Sequence, residues 1–184
     1  VELPKTKTPV YLSFAWWQDK DPWANAPWLA PQLAVDMSFN DYKTNKDPVL
    51  DACLNFSDKE AIIDPMTHLR DLFIAGKMDQ LEADAQKIVK DPKYRYLDLE
   101  SQFNQAGYHL INSNQLESAI WVFQLNTRLY PASANTWDSL AEAYQKAKQT
   151  DKALEYYNKA ISLDPNSLAG EHAKKAVEQI KAGN

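Results

Sequence analysis

Shifted back by 34 residues, the stretch ANTWDSLAEAYQKAKQTDKALEYYNKAISLDPNS at 134–167 finds a partner within the same chain. Phe103 answers Trp137, Ala106 answers Leu140, Gly107 answers Ala141 and Leu110 answers Tyr144. Further along, Ala119 meets Ala153, Ile120 meets Leu154, Phe123 meets Tyr157, Leu129 meets Leu163 and Pro131 meets Pro165. A self-match of large, small and proline positions at one fixed offset means a stack of like units, each too small to bury its own apolar stripe. The small residues Gly107, Ala119, Ala141 and Ala153 let two helices of a hairpin approach closely, while Trp137, Tyr144 and Tyr157 fill the gaps. Pro131 and Pro165 end the second helix of each hairpin, because proline cannot continue it.

Within this period Trp137, Leu140, Ala141, Tyr144, Ala153, Tyr157, Ala160 and Pro165 fill the pattern W-x2-L-G-x2-Y, A-x3-F, P. On these residues the chain resembles the tetratricopeptide repeat (TPR) family. The resemblance implies a mainly α-helical TPR-like superhelix over about residues 57–184. Its helices are expected at 99–112, 115–129, 134–147, 151–163 and 167–181, the last of them polar on one side as a capping helix. Asn114 with Glu117 reads as a capping box and Thr150 as an N-cap. Gly170 is expected to weaken the first turn of the last helix by about 1 kcal/mol relative to alanine.

Upstream, Asp64–Pro65 opens a helix carrying Leu69, Leu72 and Phe73, which is broken at Gly76. Met78, Leu81, Ala85 and Ile88 form a second stripe that stops near Asp91–Pro92. This is a TPR-like pair of imperfect length, and PKYRYLDLES links it to the first clear repeat.

Residues 1–56 read differently. PVYLSFAWW (9–17) alternates as a strand, with Val10, Leu12, Phe14 and Trp16 on one face. A proline-rich loop holds Trp23 and Trp28, and LAVDMSF (33–39) places Leu33, Val35, Met37 and Phe39 on one face of a second strand. Two strands without a sheet have edges that invite pairing, so a strand-mediated homodimer is expected. The cluster Trp16, Trp17, Trp23 and Trp28 reads first as packing, and otherwise as a carbohydrate-binding surface.

Within this segment Trp28, Ala30, Pro31, Ala34 and Val35, then Asp41, Tyr42, Asp47, Pro48, Leu50 and Ala52, resemble the end of the C-terminal-processing, tricorn-core-like serine peptidase domain found in bacteria. Gln32 departs from the aspartate usual there. The resemblance implies that residues 1–56 are the remnant of a peptidase-like domain and that the chain is its non-catalytic C-terminal part. It also implies a periplasmic or secreted setting. The family's serine nucleophile and lysine base fall on no motif of residues 1–56, so no catalytic residue is carried over and the chain is not expected to be an enzyme. The start at Val1 reads as a processed or excised beginning.

Composition narrows the function classes. With 45% hydrophobic residues the chain can bury a core, and a net charge of −5 without a basic face argues against nucleic acid. No run of about 18 apolar residues suggests a membrane span. His68, His109 and His172 are too scattered for a metal site, four glycines leave no phosphate loop, and no cofactor is expected. Function then falls to the concave face that the first helix of each hairpin lines. The candidates for a peptide groove are Asn104, Tyr108, Ile111, Asn112, Asp138, Glu142, Gln145 and Lys146. Ser101, Asn135, His172 and Gln179 flank them. A clamp for acidic C-terminal peptides needs lysine and arginine where Asp138 and Glu142 stand, so that specificity is not expected. The partner is a protein or peptide, or the chain's own upstream domain.

Overall fold

The computed structural model describes residue 31, residues 33–57 and residues 62–182. They belong to one compact unit, Pro31–Asn184. All regular structure among them is helical. Two short helices, α1 (Phe39–Lys43) and α2 (Pro48–Leu54), precede three antiparallel hairpins. The hairpins are α3 (Pro65–Ile74) with α4 (Met78–Lys90), α5 (Leu99–Asn112) with α6 (Leu116–Leu129), and α7 (Ala134–Lys146) with α8 (Thr150–Leu163). The helix α9 (Leu168–Ala182) packs next in the stack.

The three hairpins share one turn. Gly76, Asn114 and Lys148 all take a left-handed backbone, with φ of 71°, 63° and 58°. In each turn the next residue's N–H returns to a carbonyl five positions back: Lys77 to Leu72, Gln115 to Leu110 and Gln149 to Tyr144. This is the Schellman ending of a helix. Asn114 is therefore the turn residue of α5 rather than a cap for α6, whose N-cap Gln115 makes no side-chain bond. Likewise Thr150 is already helical, and Gln149 takes the capping position. Asp64 does cap α3, accepting from the Thr67 N–H, with Pro65 at the first helical position.

Trp137, Tyr144 and Tyr157 point inward as the repeat requires. Tyr157 is fully buried, Tyr144 nearly so, and Trp137 packs on the same core beside Tyr156. That core joins α5 to α9. A second core, with Leu69, Leu81, Ile88 and Tyr94 at its centre, joins α3 and α4 to Phe103, Val122 and Leu125 of α5 and α6. Gly170 is not a weak point in α9. Its Cα faces the Asp164 carbonyl so closely that a Cβ would collide with it, and the absent side chain is what lets α9 dock.

The second expected strand, residues 33–39, is not a strand. Only Ala34 is buried there, and its N–H donates to the Lys93 carbonyl at 2.8 Å. The Ser38 hydroxyl and the Asp41 carboxylate form a capping box that starts α1 at Phe39. With no neighbouring strand among the described residues, local capping sets the backbone, and Val35, Met37 and Phe39 are exposed. The edge on which a dimer was expected is therefore not formed at 33–39. The first expected strand (9–17) and the four tryptophans lie outside the described residues.

Candidate functional site

The first helices α5, α7 and α9 bring residues one repeat apart side by side. Asn104, Asp138 and His172 hold one register position, and Tyr108, Glu142 and Ala176 another. The candidates meet one another across hairpins before they meet any ligand. The Tyr108 hydroxyl donates to Glu142 Oε2 at 2.8 Å and lies 3.3 Å from Ser139 Oγ. His172 Nδ1 sits 2.9 Å from both Asp138 oxygens. The Tyr157 hydroxyl donates to Gln145 Oε1 at 2.7 Å, and Lys146 Nζ lies 3.4 Å from Glu142 Oε1.

Burial sets the electrostatics of this row. Desolvation pushes the Asp138 carboxyl above the ordinary aspartate range, against the opposing pull of His172. Burial also pushes the Tyr108 and Tyr157 hydroxyls upward, so both remain protonated donors near neutral pH. Asp138 and Glu142 are thus acceptors already in use rather than free carboxylates aimed at a ligand.

A polar cavity of about 430 Å³ opens beside this row, between α7 and α9, with Tyr157 and Ala176 in its wall. Glu142, Gln145, Lys146 and His172 face it, as do Lys175 and Gln179. Lys175 has no ion-pair partner among the described residues. Of the sequence candidates, Glu142, Gln145 and Lys146 gather here, with Asp138 tied in through His172 and Tyr108 through Glu142. Asn104 forms the first rung of the row, and its Oδ1 is buried without a hydrogen-bond partner among the described residues. Ile111 instead packs against the C-terminal core, and Asn112 is exposed at the end of α5. Of the flanking positions, Asn135 lines a separate depression at the loops and Ser101 is exposed.

Sequence reasoning missed Lys175. It occupies the position of Gly107 and Ala141, which pack against the second helix of their own hairpins; no such helix lies against Lys175 among the described residues, and its side chain is exposed. It also missed an apolar cleft of about 450 Å³ between α3 and the α5/α6 hairpin. The signal was present in His109, one repeat before Ala143 and two before Val177. Ala143 and Val177 are buried against the preceding hairpin, whereas His109 is exposed.

Comparison with known proteins agrees with the repeat geometry. The family described as Tetratricopeptide repeat matches residues 134–167, so the chain carries a TPR unit spanning α7, α8 and the turn into α9. The chain is similar to the Tetratricopeptide repeat domain-containing protein PYG7, chloroplastic, of Arabidopsis thaliana, at 26% identity over 81 residues. The alignment covers 44% of this chain and 27% of that protein, so the chain spans about a quarter of that relative's length.

Proposed function

We propose that this chain is a protein-interaction module whose concave face, built by α5, α7 and α9, holds an extended segment of a partner. The TPR unit supports the class of function, and one observation carries the site. In the α7–α9 cavity the one lining acid, Glu142, is already spent on Tyr108 and Lys146, and His172 is spent on Asp138, while Lys175 and the Gln179 amide are unengaged among the described residues. Such a lining favours ligand groups that accept hydrogen bonds, meaning backbone carbonyls and carboxylates of an extended chain.

Fluorescence polarisation with labelled extended peptides of acidic, neutral and basic composition tests this reading. Acidic peptides should bind best, held by Lys175 rather than by a C-terminal carboxylate clamp at the positions of Asp138 and Glu142, and Lys175→Glu should weaken them about tenfold without lowering the melting temperature. Equal binding of all three peptide classes, or indifference to Lys175→Glu, would refute the site.

A second reading has its own observation. Neither α1 nor α2 buries a residue, and Phe39, Tyr42 and Leu54 are among the most exposed apolar side chains. Residues from about 9 to 56 resemble the C-terminal end of a processing-peptidase domain, and in that setting the module would support its own upstream domain without an outside ligand. Hydrogen exchange in α1 and α2 should then slow when the natural upstream sequence is present. Unchanged exchange would remove the peptidase-parent reading.

A further inference from the structure

We propose that the apolar cleft between α3 and the α5/α6 hairpin is a second docking site, distinct from the concave cavity, and that it takes an amphipathic helix of a partner bordered by acidic residues. The cleft exists because the first hairpin is set apart from the regular stack. Eight residues (91–98) join α4 to α5, against four at 130–133 and at 164–167. The longer link carries a short 3-10 turn, Pro92–Tyr94, whose Tyr94 ring is buried in the core under the first hairpin. Consequently α4 lies against α6, a contact between second helices, whereas α6 and α8 each lie against the first helix that follows.

The shape suits a rod. Along α3, Met66, Arg70 and Phe73 present one face over about 10 Å. Opposite them Ala106 and Leu110 of α5 form a second wall, and Trp121 of α6 forms the floor beside Phe73, with ring centroids 6.0 Å apart. In the next hairpin the position of Trp121 is the exposed Glu155, so an indole here is not a requirement of the repeat. Two helices flanking an apolar trough of this length match the i, i+3/i+4, i+7 stripe of an incoming helix.

The rim selects the charge. Asp64 is committed to the start of α3, its two oxygens accepting from the Thr67 N–H at 3.0 Å and the Thr67 hydroxyl at 2.8 Å. The rim cation is Arg70, on a side chain 63% exposed; among the described residues it pairs with its neighbour Asp71 at a loose 3.7 Å and its charge also acts on Asp64, so an incoming carboxylate would compete with both for it. A carboxylate beside the apolar stripe of the incoming helix would reach that guanidinium in a bidentate bond.

The test uses the full chain and a labelled synthetic amphipathic helix of about 18 residues. Its leucines sit at i, i+3/i+4 and i+7, with glutamates on both flanks, and a lysine-flanked twin serves as control. The glutamate peptide should bind, and it should shift the methyl resonances of Met66, Leu69 and Val122. Ala106→Phe, which fills the trough, should weaken it at least about tenfold while thermal melting is retained. Should that variant fail to fold, Arg70→Glu on the exposed rim still decides, because it should reverse the preference toward the lysine-flanked peptide. Equal binding of the two peptides, or binding that neither variant alters, overturns the proposal. So does a cleft that takes dodecanoate but no peptide, and so does self-association abolished by Ala106→Phe, which would make a second copy the occupant.

Discussion

The faces that α5 and α7 turn toward the preceding hairpin are built at the same repeat positions, yet they end in opposite states. On α7, Leu140, Ala143 and Tyr144 are buried. On α5 the matching Ala106 and Leu110 are only half-buried and His109 is exposed. Alanine at the middle position admits the neighbouring hairpin and histidine does not. The difference teaches that a repeat signature specifies the fold of each hairpin, while the seam between hairpins depends on linker length and one or two small residues. The first hairpin is joined to the stack partly by side-chain ties, with Arg128 bound through two nitrogens to Glu82 at 2.8 Å each. The regular part is joined by continuous burial from Phe123 to Val177.

That contrast can be broken most directly at Tyr157. Truncating this fully buried ring by Tyr157→Ala should cost about 3–5 kcal/mol and collapse α7, α8 and α9 together in chemical denaturation. A loss below about 1 kcal/mol would mean that the C-terminal stack is not the tighter region. Gly170→Ala comes next, since a Cβ meets the Asp164 backbone. It should cost about 1–3 kcal/mol, and native-state hydrogen exchange should show α9 opening first. The same exchange experiment on the unmodified protein should find α3 and α4 opening before α7 and α8; equal protection would erase the distinction between the two regions.

The shared turn gives an opposed pair of substitutions. Lys148→Gly should stabilise the third hairpin by up to about 1 kcal/mol, because lysine is strained at φ 58°. Gly76→Ala should destabilise the first by a similar amount, read as shifts in melting temperature in opposite directions. The smallest effect belongs to the Arg128–Glu82 pair, at about 0.2–1 kcal/mol on replacing Glu82 by Gln, fading as salt is raised.

Much of the helical array was legible because each of its signals is local. Hydrophobic spacing and Pro131 and Pro165 placed α5 to α9 to within a residue or so. Caps were less legible: Asn114 suits both an N-cap and a left-handed turn, and the preceding helix decided between them. The alternation at 33–39 misled because a strand needs a neighbour to pair with; none stands beside it among the described residues, and Ser38 and Asp41 supply a local alternative. The concave residues were found by register, but their mutual hydrogen bonds were not, since side chains 34 positions apart meet only once the hairpins are stacked.

From the order of its residues alone this chain is committed to paired antiparallel helices with Tyr144 and Tyr157 inside, because the period and the small residues leave no other way to bury them. Only the assembled structure decided that Asp138 and Glu142 face their own neighbours, that α9 docks through a missing Cβ at Gly170, and that the first hairpin stands off to leave a cleft. Each of those outcomes rests on distances between segments far apart in the chain, which no local spacing encodes.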